Sequence, residues 1–199
     1  NTGGMGAYSP APVVTAQVHA RAMREVILPT IRGMAKDGIP YTGFLYAGLM
    51  ISRDGQIKTL EFNCRMGDPE TQPILMRLKT DFLEVLLSAT QGGLDRQELV
   101  WDRRVALGVV LAAAGYPMQP RSGDLISGLP PDADDCMVFH AGTRMDDQGV
   151  LTQGGRVLCV TALADSVRLA QQKVYAAVAG IGFDGMQCRT DIGHRAIKS

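Results

Sequence analysis

Glu61, Asn63 and Arg65 stand at alternate positions in the run Leu60-Glu61-Phe62-Asn63-Cys64-Arg65-Met66. On an extended strand successive side chains point to opposite faces, so these three share one face and Leu60, Phe62, Cys64 and Met66 share the other, which is expected to pack. A carboxylate and an amide oxygen at that spacing can both reach a hard cation such as Mg²⁺, which takes oxygen ligands and keeps positions open for phosphate. The guanidinium next along the face suits bidentate recognition of phosphate or carboxylate. Glu, Asn and Arg also suit the wetted face of an ordinary antiparallel sheet, and the alternation by itself favours that plainer reading.

Neighbouring residues add to the pattern. Asp54-Gly55 between two β-rich stretches is a hairpin signal, and counting outward from a two-residue loop pairs Arg53 with Gln56 and Gly48 with Glu61. Glycine opposite the carboxylate leaves an open patch, the kind of place where a ligand approaches a strand, a bulge being the alternative. From Arg65 the polar face runs through Met66-Gly67-Asp68-Pro69-Glu70-Thr71-Gln72 into a helix start, whose free backbone N–H groups favour an anion. Asp68 can equally serve only as the helix cap, with Pro69 as first residue. The opening Asn1-Thr2-Gly3-Gly4-Met5-Gly6 can present backbone N–H groups to a phosphate or acyl phosphate, but it lacks the lysine and spacing of a P-loop. It also has no initiator Met and no element before it, which is expected of a cut chain.

These groups must be held by elements. Apolar residues at three- and four-residue steps predict a helix over Thr15 to Met34, kinked by Pro29. Thr42 to Ser52 and Gln56 to Arg65 are the hairpin strands. Ile74, Leu75, Leu78, Phe82, Val85, Leu86 and Ala89 predict one further helix ending near Gly92-Gly93. Leu94 to Asp102 is polar enough for a linker. Beyond it, Val105 to Ala114 reads as a buried strand and Gly123 to Leu129 as a short one. Val138 to Arg144 pairs with Arg156 to Leu163, and Asp165 caps a helix that stops at Gly180. The class is α+β, with residues 1–100 as one unit and 101–199 as a smaller β-rich unit with a helix.

Composition bounds the rest. The chain has 199 residues, is 46% apolar, and balances 20 basic against 20 acidic residues. No net field recruits nucleic acid or an anionic membrane, and no apolar run reaches the length of a membrane span. Cys64, Cys136, Cys159 and Cys188 show no metal or disulfide spacing and read as buried or half-buried thiols of a reducing cytoplasm. His19, His140 and His194 are scattered and read as ordinary surface or core histidines.

Taken together, residues 1–10, Tyr41 to Met50 and Glu61 to Gln72 resemble the phosphoribosylamine-glycine ligase (glycinamide ribonucleotide synthetase) family of the ATP-grasp superfamily. The likeness continues through Leu107 to Val110, Gly115-Tyr116-Pro117, Phe139 to Thr143, Gly154 to Thr161 and Asp191-Ile192-Gly193. The resemblance implies ATP-dependent ligation of glycine to 5-phosphoribosylamine through glycyl phosphate, a step of purine synthesis. It assigns residues 1–100 to the second lobe of an ATP-grasp domain and 101–199 to the family's C-terminal domain. It implies that Glu61 and Asn63 hold Mg²⁺ or Mn²⁺ against the ATP phosphates and that Arg65 stabilises the transferring group. Gly67, Asp68, Gly3 and Gly4 would line the substrate side. With Gly48 where many ATP-grasp enzymes carry a second carboxylate, the metal would be held more weakly by protein alone. An N-terminal domain and first ATP-grasp lobe would be missing, so the chain alone is expected to have negligible ligase activity and little ATP affinity. Two alternatives stay open: a structural module without chemistry of its own, and another ATP-grasp carboxylate-amine ligase.

Overall fold

The structure, a computed structural model, describes residues 3–197. Asn1 and Thr2 of the expected glycine turn lie outside the described residues, as do Lys198 and Ser199. In chain order the elements are β1 (Gly6–Ser9), α1 (Ala16–Ala22), α2 (Leu28–Lys36), β2 (Tyr46–Ile51), β3 (Ile57–Asn63), α3 (Thr71–Arg77) and α4 (Phe82–Thr90). They continue with β4 (Val105–Ala112), β5 (Cys136–His140), β6 (Thr143–Asp146), β7 (Gly149–Thr152), β8 (Arg156–Ala164), α5 (Val167–Val178) and α6 (His194–Ile197). The mixture of helices and antiparallel strands is the expected α+β class. Two compact units interleave along the chain: Asn1–Ser9, Asp68–Arg77 and Asp102–Ser199 form one, Pro10–Gly67 and Leu78–Trp101 the other.

The first unit is built on an antiparallel sheet of order β1-β4-β8-β5. Both central strands are apolar nearly throughout, as strands covered on both faces must be. Leu107, Val109 and Leu111 face Val167, Ala170, Val174 and Val178 of α5 in the main core. The opposite face of β4 meets α3, whose Pro73 would lie 3.3 Å from a Cβ at Gly108. The α5 cap is Ser166, not Asp165, because its hydroxyl, one residue closer to the helix, accepts from the Leu169 N–H at 3.2 Å. Residues 123–129 form no strand. Gly123 and Gly128 both have positive φ and turn the chain, leaving only single bridges from Leu125 to Leu151 and from Ser127 to Gly182. The expected pairing of residues 138–144 with 156–163 is realised by β5 against β8 and carried on by the N–H groups of Ala141 and Gly142, which donate to Val157 O and Arg156 O. The chain bends at Ala141, whose carbonyl accepts from the Thr143 N–H at 2.9 Å, and β6 then closes its own hairpin with β7.

In the second unit the first expected helix is present, but a π-helical stretch, Met23–Ile27, joins α1 to α2. Proline has no N–H and its ring crowds the carbonyl four residues back, so the backbone widens just before Pro29, with the Leu28 N–H reaching Met23 O. The single helix expected through residues 74–89 is two. Leu78 bridges to Trp101, the Lys79 N–H donates to Val100 O at 2.8 Å, and Asp81 caps a new start by accepting from the N–H groups of Leu83 and Glu84. Helix formation is interrupted because these residues give their backbone groups to a strand-like neighbour instead.

The β2–β3 hairpin forms as expected, with Gly48 opposite Glu61. Its loop, however, is three residues long. The Gly55 N–H donates to Ser52 O and Gly55 takes φ +78°, the left-handed residue that ends a type I turn with a bulge. Leu49 then faces Thr59, and a second bulge at Leu60 restores the counted register at Gly48. The face expected to pack does not: Leu60 is 64% and Phe62 44% exposed, and Cys64 is an exposed thiol. Among the described residues of this unit only Gly67 and Gly93 are fully buried. No helix among the described residues is long and apolar enough to cross a membrane.

Candidate functional site

On β3 the alternation brings Glu61 and Asn63 together, with Asn63 Nδ2 donating to Glu61 Oε1 at 3.2 Å. Both groups are accessible: Glu61 is exposed and Asn63 half-buried. The patch over Gly48 is not open as expected. A Cβ there would lie 3.1 Å from Glu61 Cγ, so the stem of the glutamate itself rests on the glycine. Gly48 thereby lets the carboxylate lie close along the sheet beside Asn63. Turning the amide about its own axis presents Asn63 Oδ1 next to the carboxylate, a pair of oxygens fit for a hard cation whose remaining positions go to phosphate and water. Among the described residues no group of three or more His, Cys, Asp and Glu side chains could hold a metal. Arg65 lies just beyond the strand, exposed, with Nη1 donating to Met66 O at 3.0 Å. Gly67, which follows, is buried.

Asp68 and the glycine loop meet on an arginine. Arg156, first residue of β8, donates from Nη1 to Gly4 O at 3.2 Å and to Asp68 O at 3.0 Å, and its Nη2 lies 2.9 Å from Asp68 Oδ2. The Asp68 carboxylate is thus engaged by Arg156, and the helix behind it begins only at Thr71. Gly4 has φ +62°, and a Cβ on it would fall 1.8 Å from Arg156 Nη1, so a larger residue would be strained and would have to displace the guanidinium. Gly3 has the same φ, but a Cβ there would meet nothing within 4 Å. Sequence reasoning missed Arg156 as a site residue. Its signal is a lone cation between Gly154-Gly155 and an otherwise apolar strand.

The same glycine loop forms one wall of a cavity of about 300 Å³, completed by Tyr8, Arg189 and residues 191–195. Arg189 grips Asp191 through Nε to Oδ1 at 2.7 Å and Nη2 to Oδ2 at 2.6 Å. That hydrogen-bonded pairing holds the Asp191 carboxyl below the usual carboxylate range. His194 Nδ1 lies 2.8 Å from Asp191 O. A carbonyl only accepts, so the proton sits on Nδ1 and Nε2 is left uncommitted. Behind the sheet, burial pushes the Cys159 thiol up to about 11, which makes it an inert core group. Gln72 Oε1 is a buried side-chain acceptor without a partner in the described structure.

Known proteins match along the whole length. The family description "Phosphoribosylglycinamide synthetase, ATP-grasp (A) domain" matches residues 1–71, and "Phosphoribosylglycinamide synthetase, C domain" matches residues 106–195. A phosphoribosylamine–glycine ligase of Ralstonia nicotianae is 67% identical over 198 residues, covering 100% of this chain and 47% of the relative. That of Yersinia pestis is 60% identical, covering 99% of this chain and 46% of the relative. The chain therefore spans about half the length of the curated relatives it matches. The crystal structure of the Thermotoga maritima phosphoribosylamine–glycine ligase superposes with TM-score 0.84 at 37% identity, over 96% of this chain and 47% of that one. Biotin carboxylase of Campylobacter jejuni shares the fold alone, with TM-score 0.66 at 12% identity over 98% of this chain and 42% of its own. The sheet-and-helix architecture, the two family descriptions and the high identity over nearly every residue agree, and the chain belongs to the phosphoribosylglycinamide synthetase family, an ATP-grasp lobe followed by the family's C domain.

Proposed function

We propose that this chain supplies the metal-holding strand and the substrate side of an ATP-dependent carbon-nitrogen ligase that joins glycine to 5-phosphoribosylamine. Residues 1–100 would act as the ATP-grasp C-terminal lobe and 101–199 as the C domain, working with the N-terminal part found in the longer relatives. In the reaction the glycine carboxylate takes the γ-phosphoryl group of ATP, releasing ADP. The amine nitrogen of phosphoribosylamine then bonds to the acyl carbon, the acyl–oxygen bond breaks, and phosphate leaves. The names of the relatives support this reading, and the observation in the molecule that carries it is the Glu61–Asn63 pair on one strand face.

Glu61 and Asn63 would hold Mg²⁺ or Mn²⁺ through their side-chain oxygens. Bound there, such an ion would supply neutralisation of the phosphate charge during phosphoryl transfer. Arg65 is the catalytic group: a fixed positive charge, free to swing from Met66 O, that stabilises charge developing on the transferred group. Gly67, Asp68, Gly3 and Gly4 line the substrate side, with Arg156 as the residue that positions Asp68 and Gly4. The unpaired thiols suit a cytoplasmic enzyme. The test is calorimetric titration of ATP with Mg²⁺ into the complete ligase carrying this chain and into its Glu61→Ala variant, alongside product formation from glycine and phosphoribosylamine. Metal-dependent ATP binding should weaken at least about tenfold in the variant. Equal binding by both removes Glu61 as a ligand, and no product from the complete wild-type protein removes the ligase reading.

A further inference from the structure

Strand β1 is four residues long and lies at the edge of its sheet with β4 as its neighbour, so little resists its sliding lengthwise. The glycine loop runs directly into its first residue, and a slide of two residues along β4 would carry Gly3 and Gly4 about 7 Å with it. A one-residue slide turns every side chain to the wrong face and is opposed by packing. A two-residue slide keeps the faces. In one direction it would bring Tyr8 to the place of Gly6, where even a Cβ lies 2.7 Å from Ile192 Cδ1 and 2.8 Å from Gly108 O. In the other direction Gly4 would take that place, and Gly4 also lacks a Cβ. The tight contact beneath Ile192 therefore fixes the register in one direction only.

Arg77, the last residue of α3, supplies the stop in the other direction. Its half-buried guanidinium donates from Nη1 to Ser9 Oγ at 2.9 Å, from Nε to Arg104 O at 2.9 Å and from Nη2 to Asp102 O at 3.1 Å. The two carbonyls belong to the segment that leads into β4, so the arginine is fastened to the entry of β4 and holds β1 by its serine. Ala7 is the residue two before Ser9 on the same face, and its methyl group accepts no hydrogen bond. After the slide that Ile192 does not oppose, Ala7 would stand where Ser9 stands and the Nη1 contact would be lost. We propose that Arg77 is a positioning residue that locks the register of β1 on β4 and, through β1, the place of the glycine loop. The lock rests on the hydrogen bonds; its consequence for turnover rests on the ligase reading above.

The experiment joins hydrogen exchange and steady-state kinetics on the complete ligase carrying this chain, as wild type, Arg77→Ala, Ser9→Ala, Ser9→Thr and the double alanine variant, with Arg144→Ala on the β6 hairpin as control. Ser9→Ala should speed amide exchange in β1 about tenfold while β8 and α5 keep their protection. It should also raise KM for glycine or phosphoribosylamine about fivefold, with KM for ATP within about twofold of the wild type. Ser9→Thr keeps the hydroxyl and should restore both readouts. Adding Ser9→Ala to Arg77→Ala should change neither further, because the two residues act on β1 through one hydrogen bond. Unchanged β1 exchange in Ser9→Ala, or additive effects in the double variant, overturns the lock. Faster exchange with unchanged kinetic constants overturns its link to the glycine loop. Should Arg77→Ala fail to fold, Ser9→Ala and Ser9→Thr decide the matter. Absence of turnover in the wild type would discard the ligase reading, and the exchange data would still decide the lock.

Discussion

Gly3 and Gly4 share one backbone conformation and differ in what lies above them, which separates two physical costs. Gly3→Ala pays only for a left-handed alanine, about 1 kcal/mol. Gly4→Ala must also displace the Arg156 guanidinium and the hydrogen bonds it makes to Gly4 O and Asp68, for a total of about 3 kcal/mol. Chemical denaturation of the two variants checks this, and equal losses would mean that Arg156 moves aside freely. Cys159 gives a pH signature. Its thiol is raised from its ordinary 9.0 to about 11 by burial, so the folded state favours the protonated form. That contribution is fully present below pH 9 and is lost as the pH rises toward 11, by about 2–3 kcal/mol in all. Unfolding curves between pH 8 and 11 should steepen accordingly in the wild type and flatten in Cys159→Ala; parallel curves would contradict the assignment.

Helix starts show what local sequence can and cannot determine. Ser166→Ala should cost about 1 kcal/mol and Asp165→Ala under about 0.5, because the Ser166 hydroxyl alone accepts from the first turn. Asp81→Ala should also cost about 1 kcal/mol, since it caps a helix that apolar spacing had merged with its predecessor. Thermal unfolding of the three variants ranks them, and a larger loss from Asp165 than from Ser166 would reverse the capping assignment. The period of two on β3 was legible from sequence and located Glu61 and Asn63 together. The register at Gly48 was legible too, although a longer turn and a second bulge offset each other to produce it. The break at Leu78 was not legible, because it depends on Val100 and Trp101, distant in sequence, rather than on neighbours within one turn. Arg156 and the cavity beside the glycine loop stayed hidden for the same reason: the glycine loop and residues 189–195 come from opposite ends of the sequence, and only the folded sheet brings them together.

At the scale of the whole molecule the two units differ in what they bury. Among the described residues the sheet unit holds every buried apolar side chain, from Met5 to Phe183, whereas the hairpin-and-helix unit buries only two glycines and leaves Met50, Leu60 and Phe62 exposed. Local stability follows buried apolar contact, so amide hydrogen exchange on the 199-residue chain should protect β4, β8 and α5 strongly and β2, β3 and α4 weakly. Uniform protection across both would show that the second unit is stabilised by something other than its own packing. Strand β1 carries a separate consequence. It pairs with β4, Gly6 opposite Val109, so about a hundred residues must leave the ribosome before its edge finds a partner. Until then Gly6-Ala7-Tyr8-Ser9 is without its β4 partner on the nascent polypeptide. The short length of that segment and its two small residues keep it a poor template for neighbouring chains during synthesis.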